Sequence, residues 1–148
     1  VVIYNADPRY GSIISGIPGH PIEDLRLSNV RIYSKGGGTK EQAALQPPEK
    51  EDTYLEPSMF GEIPAYGFFI RHVNGLRMDN VEVSYLNDDL RSAFWLHDVK
   101  AAEFFRVRAQ RRSDVPTFLL KDVEDFSVVQ SHPIADTRLD KMKEGKID

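Results

Sequence analysis

Asp88 and Asp89 stand side by side in "YLNDDLRS". Two carboxylates can share the cleavage of a glycosidic bond. One protonates the leaving oxygen, and the other activates water or attacks the sugar carbon. An inverting pair sits about 6.5–9.5 Å apart with room for water, and adjacent side chains on a turn can splay that far. No further acid, histidine or lysine accompanies them at matching positions, however. Asn87 precedes them, and asparagine and aspartate both suit tight turns because their short side chains bond to nearby backbone. A polar turn between two strands is the competing reading, and the pattern of the whole chain favours it.

The other chemistry-bearing residues are scattered. His20, His72, His97 and His132 show no metal-ligand spacing such as i, i+4, so neither a metal nor another cofactor is expected. His72 and His97 fall at nearly equivalent repeat positions and read as solvated turn residues. Gly36–Gly38 lacks the strand and helix context of a phosphate loop and reads as a hinge. There are no cysteines, which excludes disulfides and thiolate metal sites. A net charge of −4 gives no support to a nucleic-acid partner. No apolar run approaches the length of a membrane span. The 148 residues suffice for one domain, 1–148, with a real core. The chain starts with valine and shows no signal peptide, so sequence upstream of Val1 is expected.

The elements that must position these residues are visible as a repeat. "YGFFIRHVNGLRMDNVEV" from Tyr66, "SAFWLHDVKAAEFFRVRA" from Ser92 and "PTFLLKDVEDFSVVQSHP" from Pro116 align without gaps, with Val73, Val99 and Val123 in register. "IEDLRLSNVRI" is a half copy anchored on Ile22. Three residues after the anchor come Leu25, Leu76, Ala102 and Phe126. Five after it come Leu27, Met78, Phe104 and Val128. A second pair follows at plus eight and plus ten: Val30 and Ile32, Val81 and Val83, Val107 and Ala109. Each pair has the two-residue period of a strand, and the phase shifts between pairs, so the chain turns there. Phe68 and Ile70, Phe94 and Leu96, and Phe118 and Leu120 form a third pair before the anchor. A period in the twenties with three strand patterns per repeat specifies a parallel β-helix of about four coils, an all-β solenoid. A leucine-rich repeat would need a fixed asparagine or cysteine after a leucine-rich strand. Asn29 and Asn80 share one bend position and read as a structural ladder.

Residues 34–64 interrupt the repeat. "KEQAAL" suits one or two helical turns, "QPPEKED" ends them, and a loop this long is a functional element or a cover. Phe69, Trp95 and Leu119 alternate with the inward set and stack on the outside, so the insertion, the tail or another chain must cover them. The repeat fails at Ser131 and Pro133. The strands should therefore stop near Val129, and the polar tail 131–148 should fray or lie along the surface. At the other end Val1–Tyr4 either folds across the first coil as a cap or leaves an end through which the chain self-associates.

"GIPGHPIEDLRLSNVRI", "YLEPSMFGEIPAYGFFIRHV" and the three-strand coils resemble the C-terminal part of glycoside hydrolase family 28, over residues 11–130. These are the polygalacturonases and rhamnogalacturonan hydrolases. The resemblance implies a right-handed parallel β-helix, secretion or export to the periplasm, and metal-free inverting hydrolysis of uronate-containing polysaccharide. The family's catalytic signature is Asn-Thr-Asp, Asp-Asp, Gly-His-Gly and Arg-Ile-Lys. Here "PGHP" offers His20 without the second glycine, "VRIYSK" has Tyr33 where a lysine is wanted, and Asn-Thr-Asp is absent. Asp88–Asp89 lies in the equivalent turn of a later coil. The chain alone is therefore expected to be inactive, with the catalytic coils upstream or lost. The alternative is a non-catalytic module that binds polysaccharide or assembles with a partner. The candidate substrate contacts are Arg31, Tyr33, Asn87, Arg108 and Gln110, with arginine suited to a carboxylate fork.

Overall fold

A computed structural model describes residues 1–53, 56 and 58–148. The sequence expectation that "YLEPSMFGEIPAYG" leads back to the repeat falls partly on Tyr54, Leu55 and Pro57, outside the described residues. The rest is mostly β. One largely parallel sheet has the order β1 (Val2–Ala6), β3 (Ile22–Gly36), β4 (Ala65–Asn87), β5 (Ser92–Phe105), β7 (Phe118–Val129), β8 (Thr137–Ile147). Two short strands, β2 (Ser12–Ser15) and β6 (Arg108–Ala109), pair with β4. Among the described residues no helix is long and apolar enough to cross a membrane.

The register is the one the repeat alignment specifies. Ile22 pairs with Val73, Val73 with Val99 and Val99 with Val123. Leu25, Leu76, Ala102 and Phe126 form a second ladder, and Leu27, Met78, Phe104 and Val128 a third. Most of these residues, with Phe68, Phe94 and Phe118, make one buried core. The Phe94 ring stacks on Phe68 at 5.8 Å and on Phe118 at 4.8 Å. A one-residue slip would turn every such side chain to the other face, so the apolar pattern fixes the register.

The three strands expected per repeat are not separate elements. They run on as single long strands bent at recurring residues. The residue before the anchor has positive φ in His72, Asp98 and Asp122. The residue two after it does so in Asp24, Gly75, Ala101 and Asp125. The residue seven after it does so in Asn29, Asn80, Arg106 and Gln130. Left-handed backbone re-aims the chain without ending the ladder, and Asn and Asp tolerate it best. At the third bend Asn80 Nδ2 donates to Asn29 Oδ1 at 2.7 Å, the expected asparagine ladder.

Boundaries shift in two places. Ser34–Gly36 belongs to β3, with Ser34 beside Tyr85 and Gly36 beside Asn87, so the insertion begins at Gly37. Its helical portion is one turn, α1 (Lys40–Ala43), closed by a capping box between Thr39 and Gln42. The tail does not fray. After Val129 the chain makes a parallel bridge from His132 to Arg108 and buries Ile134 where the repeat offers only Pro133. It then returns as β8, antiparallel to β7 from Phe118↔Ile147 to Val128↔Thr137. The physical reason is an open ladder edge: unpaired N–H and C=O groups on β7 recruit whatever strand follows. Leu139, Met142 and Ile147, spaced along a polar tail, pack onto the core. At the opposite edge β1 lies along β3, with Val2 beside Arg31 and Ile3 beside Ile32; Val2, Ile3 and Tyr4 stay exposed, and Ala6 packs against the core.

Candidate functional site

The turn from β4 to β5 separates the two aspartates. Asp89 is 1% exposed and Arg91 equally buried. Asp89 Oδ1 accepts from the Arg91 backbone N–H at 3.0 Å and from Arg91 Nε at 2.9 Å. Its Oδ2 accepts from Arg91 Nη2 at 2.7 Å and from the Gly38 N–H at 3.0 Å. Four acceptor positions are thus taken, and none is left for a substrate proton or a water. Asp88 points outward, with Arg112 at 3.2 Å. Burial and charge pairing make Asp89 the fastener of this turn. Asn87 serves the same turn, donating from Nδ2 to the Lys35 carbonyl at 2.8 Å.

The fastener holds the insertion. Arg91 Nη1 donates to the carbonyl of Ile63, near the insertion's far end, and to that of Pro8, between β1 and β2. Gly38 marks its start, so the glycine run is a docking point as well as a hinge. A Cβ there would lie 2.2 Å from both Arg91 Nε and Asp89 Oδ1. A second buried arginine clamps the middle. Arg71 donates to the carbonyls of Pro47 and Pro48 and to Ser15 Oγ, and its guanidinium lies between the Phe60 and Phe69 rings. Burial lowers its pKa, against the pull of Glu49 and Glu51. Under these clamps the outer apolar stripe is covered as expected: Phe69 and Trp95 stack at 4.8 Å and bury with Ile63 and Ala65, and Ile13 and Leu119 flank them.

His72 corrects the solvated reading. It is 5% exposed, with Nδ1 2.7 Å from Asp98 Oδ2 and Nε2 3.0 Å from Glu49 Oε2. It ties the insertion to the next repeat. His97 remains half-open, and burial, with Lys121 next, lowers its pKa. Among the described residues no cluster of three or more His, Asp or Glu is arranged to hold a metal ion.

The outward face between Glu82 and Pro133 is different. A groove of about 580 Å³ is lined there by Glu82, Ser84, Arg108, Gln110, Arg111 and His132, among others. Glu82 and Arg108 are ladder neighbours. Gln110 is locked in place: its N–H donates to Val83 O, its Oε1 accepts from Tyr85 N–H, and its carbonyl accepts from the Tyr66 hydroxyl. Burial, with Tyr85 and Asp89 nearby, raises the Tyr66 pKa far above its usual value, so it stays a donor. The His132 segment is pinned by Ala109 N–H donating to His132 O and His132 N–H to Val107 O. Of the five sequence candidates, Arg108 and Gln110 meet in this groove. Arg31 does not line it and approaches Glu82 at 3.7 Å. Tyr33 is covered by Tyr4, ring on ring at 4.9 Å. Arg111 and His132 were not singled out as binding residues. The only sequence signal is the arginine pair in "AQRRSD", directly after an outward Gln110.

Compared with family models, curated proteins and solved structures, the chain matches none of them.

Proposed function

We propose that the bent parallel ladder is a stretch of right-handed β-helix of the polygalacturonase-like kind. On this reading the chain is the C-terminal part of an exported hydrolase of pectic polysaccharide. It holds substrate and does not break the bond. The support for this reading is the recurrence of positive φ at the same three positions of each of the three full repeats, the bends that a coil would need. The free edge of β1 then admits a further coil or a second copy. The observation that carries the binding role is the groove, where outward residues of stacked repeats converge with arginines in excess of carboxylates. Asp89, consumed by Arg91 and Gly38, supports the non-catalytic half of the reading.

The test is electrophoresis of the protein through gels containing polygalacturonate or neutral galactan, with a reducing-sugar assay beside it. Retardation by polygalacturonate alone, without sugar release, is the expected result. Equal mobility in both gels would remove the binding role. Sugar release abolished by Asp88→Asn would restore the carboxylate pair as catalytic.

A further inference from the structure

We propose that the groove contains a dedicated oxyanion site, with Arg111 as its anchor and Arg108 as its second cation. The inference rests on the reading of this face as a ligand surface and specifies what part of a ligand it grips.

Three arginines lie within five residues, and the structure treats them differently. Arg112 is neutralised twice, by Asp114 at 3.0 Å and Asp88 at 3.2 Å. Among the described residues, Arg108 and Arg111 have no carboxylate within 4.0 Å. The one carboxylate on the groove wall, Glu82, lies 3.7 Å from Arg31. The groove is therefore lined by two uncompensated cations beside an already engaged anion. Independently, Arg111 Nε is buried and has no hydrogen-bond partner among the described residues. A guanidinium N–H shut off from water and left unpaired costs more than an ordinary unsatisfied donor. The Nε edge is one of the faces that grips a carboxylate with two parallel bonds. Because the rest of the Arg111 side chain is partly open, a turn toward the groove would bring Nε–H to an incoming oxyanion, which supplies what is missing. Around it stand Ser84, Ser113 and His132, with the amide nitrogen of Gln110, whose oxygen is already taken by Tyr85. Such a rim suits the hydroxyls of an acidic sugar better than an apolar acid.

Titration of ¹⁵N-arginine-labelled protein tests this by the side-chain Nε–Hε resonances. The probes are trigalacturonate, its methyl ester and inorganic sulfate. Trigalacturonate should shift Arg111 Nε–Hε, and the ester should not. Arg111→Lys, which keeps the charge and loses the fork, should weaken trigalacturonate binding about tenfold or more. Arg112→Lys should leave it unchanged. If sulfate shifts Arg111 and trigalacturonate does not, the oxyanion site stands and the polysaccharide reading falls. If trigalacturonate binds with Arg111 unmoved and Arg111→Lys as tight as wild type, the site is wrong and the polysaccharide reading survives. Silence of Arg111 toward every probe at millimolar concentration overturns the proposal.

Discussion

Asp89 and Arg91 form a two-pronged ion pair with no solvent exposure on either side chain, Nε to Oδ1 at 2.9 Å and Nη2 to Oδ2 at 2.7 Å. Removing one partner strands the other charge in the interior. Asp89→Ala should therefore cost about 3–5 kcal/mol in urea unfolding. Asp88→Ala, at an exposed surface pair, should stay within about 0.5 kcal/mol. Comparable costs for the two would contradict their separation into fastener and surface charge.

Gly38 is the tightest point of the same fastener. Its added Cβ would strike saturated groups that have nowhere to move. Gly38→Ala should lose about 1–3 kcal/mol and speed proteolysis within residues 37–64. An unchanged cleavage rate would show that the insertion is held elsewhere.

Trp95 is the only tryptophan and is 6% exposed beneath the insertion. Its emission should be blue-shifted and shielded from iodide. Trp95→Ala should cost about 3–5 kcal/mol. A water-like emission maximum would mean that the cover is open in solution.

His97 carries a sign that can be checked. Burial lowers its folded pKa below the ordinary 6.5 of imidazole. The unfolded chain thus takes up this proton at higher pH than the folded one, so the neutral ring's contribution is complete above about pH 6.5 and declines as pH falls through that value. Between pH 7.5 and 5.5, His97→Gln should lose less Tm than wild type does. A steeper loss in the variant would reverse the assignment.

Strand β8 seals one edge of the sheet, and its charged side chains include Arg138, Lys141, Lys143 and Lys146. Such charges discourage pairing with another chain. A stop after Asp136 bares β7 with Phe126 and Val128 beside it. The shortened protein should form concentration-dependent oligomers on size exclusion, and a monomer at high concentration would speak against the sealing role.

The ladder was legible in the sequence because burial acts on one residue at a time. Val73, Val99 and Val123, and the apolar positions spaced from them, must each face inward, and that demand repeats along the chain in a period that can be counted. Asn29 and Asn80 were legible for a similar reason, since a bend needs residues that tolerate left-handed backbone. Polar partnership follows another rule. Asp89 meets Gly38 from 51 residues away, and His72 meets Glu49 and Asp98 from 23 and 26. Nothing local distinguishes Asp89 from Asp88, or Arg111 from Arg112. Only the tertiary structure decides which charge is enclosed with a partner, which is paired in water, and which is left facing a groove. It does so because desolvation depends on what the rest of the chain places nearby. The tail shows the same division. Its polar composition reads as surface, but the unpaired edge of β7 supplies the hydrogen bonds that make it a strand.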